Sequence, residues 1–150
     1  MAKAVVGVIG ASQCNPQEYE MAYQLGRGIA RLGAFLVCGG LGGVMEAASK
    51  GAREEGGLVI GIIPQSNPGE ANPYVTVAVA TGMGHARNSI IVNTAQVLVA
   101  VGGEYGTLSE IALALKGGKA VLGLDTWDIP GVIRVSSVEE TLRTLEGLLR

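Results

Sequence analysis

The sequence predicts an α/β protein whose central sheet is mainly parallel, with six or seven strands and with helices on both faces. Short, uninterrupted apolar runs alternate with segments of helical periodicity along the whole chain. Strands that are apolar throughout are buried on both faces, which is typical of parallel sheets. Their alternation with helices is typical of doubly wound folds. A chain of 150 residues has the length of one domain, so residues 1–150 are predicted to form a single Rossmann-like domain.

The first half of the chain contains three predicted strands and two predicted helices. The first helix, Glu18–Leu32, places Leu25 and Ile29 on one face, and Gly33 is typical of a helix end. The second helix, Gly43–Glu55, is rich in small residues, which favours close packing on the sheet. The three strands are Ala4–Ile9, Ala34–Cys38 and Leu58–Ile63.

The second half begins after Pro64–Pro73, a segment with three prolines that is predicted to be a loop. The same alternation of apolar runs and helical patterns then continues to the end of the sequence. The predicted strands are Val75–Val79, Val97–Val101, Ala120–Leu124 and Val132–Val135. The predicted helices are residues 85–95, Thr107–Lys116 and Val138–Leu149.

Composition excludes several classes of function. A net charge of −2 and an aromatic content of 4% predict no nucleic-acid partner, because such proteins need a basic surface or stacking residues. No apolar stretch reaches the roughly 20 residues that span a membrane. Charged residues are only 16% of the chain, against about 25% in typical domains. We therefore expect a homodimer or homotetramer, joined through Ile90, Ile91, Val92 and Leu113–Leu115 of the third and fourth helices.

The two cysteines, Cys14 and Cys38, are too few for a disulfide framework. Reduced thiols are the default for such a chain, so a cytoplasmic protein is expected. Two thiols without a histidine pair are also a weak basis for a metal site. We predict no metal ligands and interpret both cysteines as small core or loop residues.

Glycine-rich loops follow four of the predicted strands, at the edge where ligands bind in doubly wound folds. Glycine lets main-chain N–H groups approach a phosphate, and a helix N-terminus adds positive charge. Neither the dinucleotide fingerprint nor the Walker pattern occurs, so a standard dehydrogenase or NTPase is not indicated. The predicted phosphate- or ligand-binding residues are Gly10, Ser12, Gly39, Gly40, Gly42, Gly43, Met83, Arg87, Asn88, Gly103, Gly106 and Thr107.

Three residues in or near these loops have two interpretations each. Arg87 is the only arginine in a strand-end loop, where its guanidinium either binds phosphate in a bidentate way or lies on the surface. Glu110 is either a catalytic carboxylate or the second half of a capping box with Thr107. Tyr105 either stacks on a ligand ring or covers the neighbouring glycines.

Together, these residues resemble the LOG-like superfamily. The resemblance lies in Gly39–Glu46, in Arg87 and in Gly103–Glu110, and it extends over nearly the whole chain. The superfamily includes phosphoribohydrolases that act on nucleoside 5′-monophosphates and carrier proteins of the molybdenum cofactor. In the hydrolases, the residues that match Arg87 and Glu110 are the proposed catalytic pair.

Residues 81–88 and 106–112 are more similar to the carrier branch than to the hydrolases. The hydrolase motif reads Pro-Gly-Gly-x-Gly-Thr-x-x-Glu after an Arg-Lys pair, whereas this chain has Gly102, Glu104 and Asn88 at the first, third and lysine positions. The resemblance thus implies a binding protein for a phosphorylated, ring-bearing molecule, either a pterin (the molybdenum cofactor, molybdopterin) or an AMP-like nucleotide. The alternative is a phosphoribohydrolase that uses Arg87 and Glu110. The name "lysine decarboxylase", which some members carry, implies a pyridoxal-bound lysine, and no lysine follows a strand here.

Overall fold

The computed structural model describes residues 3–150; Met1 and Ala2 lie outside the described part. Its strands are β1 (Val5–Gly10), β2 (Phe35–Cys38), β3 (Val59–Ile63), β4 (Val77–Ala80), β5 (Val97–Val101), β6 (Ala120–Leu124) and β7 (Ile133–Arg134). Its α-helices are α1 (Pro16–Arg31), α2 (Val44–Glu54), α3 (Asn88–Thr94), α4 (Tyr105–Lys116) and α5 (Val138–Leu148). Short 3-10 turns lie at Pro68–Glu70 and Gly84–Arg87.

The strands form a seven-stranded sheet in the order β4-β3-β2-β1-β5-β6-β7. Every neighbouring pair is parallel. Gly7 in β1 is in register with Val37 of β2 on one side and with Leu98 of β5 on the other. The strand order therefore reverses between β1 and β5, and such a switch opens a crevice at the carboxyl ends of the strands.

A hydrophobic core covers each face of the sheet. On one face, Leu25, Val44 and Leu145 bring α1, α2 and α5 against the strands. On the other face, Ile91 and Ile111 do the same for α3 and α4. The predicted fold class, a doubly wound parallel sheet with helices on both faces, is confirmed, and the strand number is seven.

Helix α1 begins two residues earlier than the predicted Glu18. Asn15 is its N-cap: the Asn15 Oδ1 accepts from the Glu18 N–H at 2.7 Å, and the Glu18 carboxylate accepts from the Asn15 N–H at 3.1 Å. Pro16 occupies the first helical position, where proline is tolerated because its missing N–H needs no partner.

The segment after β3 differs more from the prediction. Strand β4 is Val77–Ala80 instead of Val75–Val79, and the predicted helix over 85–95 is a 3-10 turn followed by the short α3. Backbone hydrogen bonds from Gly82 to Gln65 and from Gly84 to Pro64, at 3.0 and 3.1 Å, fasten this loop to the end of β3. The predicted last strand, Val132–Val135, shortens to β7, which pairs with β6 at the sheet edge.

The oligomer prediction rested partly on residues that belong to the core. Ile91 and Val92 are 0% and 3% exposed, whereas Leu113 is 39% exposed. The first two side chains pack against the sheet and are not free for a second copy, so that part of the argument is wrong. Association into two or four copies stays a prediction. No helix within residues 3–150 is both long and apolar enough to cross a membrane.

Candidate functional site

A cleft of about 280 Å³ lies at the carboxyl ends of the strands, beside the switch between β1 and β5. The loops after β1, β2, β4 and β5 all contribute to it, so the predicted convergence of the strand-end loops is confirmed. Its walls are formed by Gly10, Ala11, Ser12, Leu41, Met45, His85, Arg87, Asn88, Glu104, Gly106, Thr107 and Glu110.

About half of the predicted site residues line this cleft, and the others do not. Those in the walls are Gly10, Ser12, Arg87, Asn88, Gly106, Thr107 and Glu110. Those outside the walls are Gly39, Gly40, Gly42, Gly43, Met83 and Gly103. The sequence did not predict Leu41, Met45, His85 or Glu104 as wall residues; the last two are exposed. The signal for the first two was their position in and beside the glycine turn after β2.

Arg87 is the cation of the cleft, and its side chain is only 7% exposed. Its guanidinium donates a hydrogen bond to the Asn88 side-chain oxygen, while its buried Nε has no hydrogen-bond partner. A Cβ on Gly39 would lie 2.8 Å from Arg87 Nη2. Gly39 therefore makes room for the guanidinium, a different role from the predicted contact with a phosphate. Burial of a charged group with an unpaired donor is unfavourable, so Arg87 lowers the free energy of unfolding in this position.

Glu110 is not a helix cap. Helix α4 begins at Tyr105, two residues before the predicted Thr107, so Thr107 lies inside the first turn and the capping box is not formed. The related pattern at α5 does form a cap, because the Ser137 hydroxyl accepts from the Glu140 N–H at 3.1 Å. Glu110 is instead 7% exposed and faces the cleft.

The two buried charges of the cleft influence each other without forming an ion pair. The four ion pairs within 4.0 Å in the described part of the chain involve other residues. Burial raises the pKa of the Glu110 carboxyl to about 7, and the positive charge of Arg87 limits that rise. Burial likewise lowers the pKa of Arg87, and Glu110 opposes this. The cleft therefore carries more negative charge above neutral pH than below it.

The first turn of α4 offers unpaired donors to the cleft. Its N-cap residue, Glu104, makes no side-chain hydrogen bond to the helix. The first N–H groups of a helix have no partner within the helix, and they carry partial positive charge. Because Gly106 and Thr107 of this turn also line the cleft, an anion bound there would meet both backbone donors and the Thr107 hydroxyl.

The glycine turn after β2 contributes less than predicted. The Gly40 N–H donates to the Cys38 thiol at 3.4 Å, and the Val44 N–H donates to the Ala11 carbonyl at 3.1 Å. These two donors already have partners within the protein, and phosphate binding by the N–H groups of this turn stays a prediction. Gly43 adopts a φ of 60° next to the Ala11 and Ser12 backbone. Its role is to bring this turn against the loop after β1.

Met83 and Gly103 also lie outside the walls of the cleft. The Met83 side chain is 49% exposed, and its N–H donates to the Thr81 hydroxyl at 3.1 Å. Gly103 has a φ of 100° and packs against the Thr107 side chain. Gly103 thus leaves room for the Thr107 side chain, and Met83 is exposed in the loop after β4.

Gly102 has a backbone conformation that proline cannot adopt. Its φ is 54°, whereas the proline ring fixes φ near −65°. Its N–H donates to the Leu124 carbonyl at 3.0 Å, and its carbonyl accepts from the Thr126 hydroxyl at 2.6 Å. The turn that leads into α4 is thus tied to the end of β6, and a proline here would require a different path.

Among residues 3–150, no lysine lines the cleft. The Lys119 ammonium, at the opposite edge of the sheet, donates to the carbonyls of Val92, Asn93 and Ala95 at 2.7, 2.9 and 2.5 Å. These contacts satisfy carbonyls at the end of α3 and explain Lys119 structurally. Within residues 3–150, no group of three or more His, Cys, Asp or Glu side chains could hold a metal ion, and Cys14 and Cys38 are both free thiols.

Gly106 provides a test of whether a ligand fills the cleft. A Cβ at this position would meet nothing within 4 Å, and the same is true of Gly147 in α5. We expect Gly106→Ala and Gly147→Ala to keep the free energy of unfolding or to raise it by about a few tenths of a kcal/mol, since alanine favours helix. Only Gly106→Ala should weaken anion binding, on the order of tenfold, because its methyl group enters the cleft. Equal affinities of the two variants by calorimetry would contradict this.

Fold and site together define a doubly wound α/β protein with a cleft at the strand switch that has a buried arginine in its wall. The model of the SLOG cluster4 family matches residues 3–146. The chain belongs to this family, and the predicted LOG-like resemblance is confirmed.

Similar proteins extend this result. An uncharacterized protein of Archaeoglobus fulgidus is 50% identical over 136 residues, which are 91% of this chain and 87% of that protein. Among solved structures, the molybdenum cofactor binding protein of Rippkaea orientalis is 39% identical, with a TM-score of 0.95 over 100% of this chain and 99% of that one. The molybdenum cofactor carrier protein of Chlamydomonas reinhardtii is 36% identical, with a TM-score of 0.91 over 99% of each chain. The predicted similarity to the carrier branch is therefore confirmed.

Proposed function

We propose that this protein binds and carries a phosphorylated heteroaromatic molecule, with the pterin of the molybdenum cofactor as the preferred ligand. The observation that carries the proposal is the buried Arg87, which lies in the wall of a cleft without an ion-pair partner. Within the chain this guanidinium donates to the Asn88 side chain, but its buried Nε has no partner, whereas an incoming phosphate would satisfy it with charge-assisted hydrogen bonds. The similarity to molybdenum cofactor binding and carrier proteins supports the choice of ligand.

The phosphate would bind between Arg87, the Thr107 hydroxyl and the first N–H groups of α4. Ser12 faces the same cleft from the loop after β1 and would supply a second hydroxyl. This combination of one guanidinium, two hydroxyls and a helix N-terminus is chemically suited to a phosphate monoester. The molybdenum would enter as part of the cargo, since the walls of the cleft contain no thiol and only one imidazole, that of His85.

Nucleotide hydrolysis is the second candidate, because the cleft contains both Arg87 and Glu110. In that reaction Glu110 would stabilise the positive charge that develops on the ribose as the base departs. A carboxyl with a pKa of about 7 is only half ionised at neutral pH, which weakens this stabilisation. The conformation of Gly102 also differs from the one that the hydrolase proline requires. Both observations favour binding without turnover.

Calorimetry with molybdopterin, AMP and inorganic phosphate tests the proposal. We expect all three ligands to bind to the cleft and molybdopterin to bind most tightly. Chromatography of the AMP mixture for free adenine tests the alternative in the same sample. Absence of binding by every anion would refute the proposal, and adenine release that Glu110→Gln abolishes would establish the hydrolase instead.

The cellular setting is part of the proposal. We place the carrier in the cytoplasm because Cys14 and Cys38 are free thiols, as expected for a reducing compartment. We also propose that it acts as a homodimer or homotetramer.

A further inference from the structure

The side chains of Tyr105 and Trp127 form an aromatic step, a pair of neighbouring rings, at the rim of the cleft. The Tyr105 and Trp127 ring centroids are 5.9 Å apart, with 31° between the ring planes. The Trp127 indole N–H donates to the Glu104 carbonyl at 3.1 Å. Trp127 is thereby anchored to the residue that precedes Tyr105, and its ring lies beside the Tyr105 ring.

Packing within the chain does not explain this step. The Tyr105 side chain is 80% exposed, the largest exposed fraction among the large hydrophobic side chains that remain at the surface. It therefore does not cover the neighbouring glycines, which was one of its two interpretations. A large aromatic residue held by a partner yet open to solvent has the surface that a flat ring would use for stacking.

The position of the step relates it to the phosphate cleft. Glu104 and Gly106, the residues on either side of Tyr105, both line that cleft. Trp127 lines a second cavity, of about 420 Å³, at the ends of β6 and β7. The aromatic pair thus lies between two cavities, and a molecule anchored by its phosphate in the first can extend over the step towards the second.

The charge around the step indicates which rings it accepts. Glu104, which precedes Tyr105, lines the first cavity, and Asp125, two residues before Trp127, lines the second, so a carboxylate lies near each ring in sequence. The cation of the second cavity, Arg134, pairs with Asp128 at 3.4 Å, and that of the first, Arg87, is assigned to the phosphate. Carboxylates accept hydrogen bonds from amino groups and repel anionic ring substituents. Rings with an exocyclic amino group, such as pterin, adenine and guanine, fit this surrounding better than uracil does.

We infer that Tyr105 and Trp127 form the ring-binding subsite of this protein, on which the amino-substituted heteroaromatic ring of the ligand stacks while its phosphate occupies the cleft of Arg87. The inference rests on the proposed function, because it assigns the second half of the same ligand.

Trp127 makes the subsite directly observable, since the chain has one tryptophan. Its fluorescence should be quenched when AMP, GMP or molybdopterin is titrated into the intact protein. Inorganic phosphate, which has no ring, should bind with little change in the signal, and UMP should quench less than AMP. These titrations separate a ring on the step from a phosphate in the cleft.

Substitution of Tyr105 gives the second measurement. We expect Tyr105→Ala to lower the affinity for AMP and molybdopterin on the order of tenfold, as removal of one stacking partner does. The affinity for inorganic phosphate should stay the same, and Tyr105→Phe should retain the stacking. Light scattering on each variant controls for a change in the number of associated copies.

The possible failures are distinguishable. If phosphate and the ring-bearing ligands bind equally well, or if Tyr105→Ala leaves their affinities equal to wild type, the ring subsite is refuted while the phosphate cleft stands. If Tyr105→Ala changes the molar mass and not the ligand affinity, Tyr105 belongs to a contact between copies and the inference is also wrong. If no anion binds at all, the proposed function and this inference fail together.

Discussion

Replacement of Arg87 by alanine is expected to abolish binding of phosphorylated ligands. The guanidinium is the cation in the wall of the cleft, and in the complex it would pair with the phosphate of the ligand. Removal of one partner from such a buried charged pair costs about 2–5 kcal/mol of binding free energy. The dissociation constant for molybdopterin or AMP should therefore rise on the order of 100-fold or more. Arg87→Lys should recover part of the affinity, because lysine restores the charge but not the bidentate geometry.

Arg87→Ala should weaken ligand binding without lowering the stability of the fold. Since the Arg87 Nε is buried without a partner, its removal relieves an unfavourable interaction. At pH 5, where the Glu110 carboxyl is mostly protonated and its attraction to Arg87 is absent, we expect the melting temperature of Arg87→Ala to equal or exceed that of the wild type. Arg31→Ala is the matched control. Arg31 does not line the cleft, and its Nε lies 3.0 Å from the Glu55 carboxylate. Its loss should leave ligand affinity intact. Wild-type affinity in Arg87→Ala would remove the central support for the proposed function.

Replacement of Glu110 by glutamine should stabilise the protein, and by an amount that depends on pH. The pKa of Glu110 rises from 4.5 in the unfolded chain to about 7 in the folded one. Between these values the folded state holds a proton that the unfolded state has released, so stability falls as the pH rises through this window. Above pH 7, ionisation of Glu110 lowers the free energy of unfolding by on the order of 3 kcal/mol. Glutamine has no charge to bury, so the variant does not lose this stability.

Urea unfolding at pH 5, 6, 7 and 8 measures this effect. The free energy of unfolding of Glu110→Gln should exceed that of the wild type most at pH 8, and the difference should shrink towards pH 5. Glu104→Gln is the control, since Glu104 is an exposed carboxylate in the same turn and its substitution should change stability little at any pH. A difference between Glu110→Gln and wild type that does not vary with pH would contradict the burial of this carboxyl as the cause.

Ligand binding adds a second readout for Glu110. At pH 8 the carboxylate lies in the same cleft as the phosphate and repels it, so Glu110→Gln should bind inorganic phosphate about tenfold more tightly. Below pH 6 the wild-type carboxyl is mostly protonated and the two proteins should bind alike. A hydrolase in which Glu110 stabilises the transition state would instead lose turnover in the variant.

The architecture could be predicted from local patterns. Strands such as Val97–Val101 are apolar at every position, which indicates burial on both faces whatever the neighbouring strands are. The order of strands and helices then places the loops after β1, β2, β4 and β5 at one edge of the sheet. For this reason the amino-acid order alone was enough to expect Arg87 and Glu110, which are far apart in the chain, in one cleft.

The role of individual residues in that cleft could not be predicted in this way. Thr107 and Glu110 have the spacing of a capping box, and only the first helical residue, Tyr105, decides that they do not form one. Gly39 has the setting of a phosphate-binding glycine, yet it accommodates the Arg87 guanidinium from another loop. The exposed ring of Tyr105 is held by Trp127, which follows the next strand.

The sequence by itself determined the fold class, the edge of the sheet at which the cleft lies and the arginine in the wall of that cleft. These features follow from hydrophobic periodicity and from the positions of glycine and arginine, which are local properties of the chain. Only the tertiary structure decided which donors remain free, why the Glu110 carboxyl has a raised pKa and where a ligand ring can stack. Burial, hydrogen-bond satisfaction and aromatic contacts arise between segments that are distant in sequence, and they exist only after those segments have packed together.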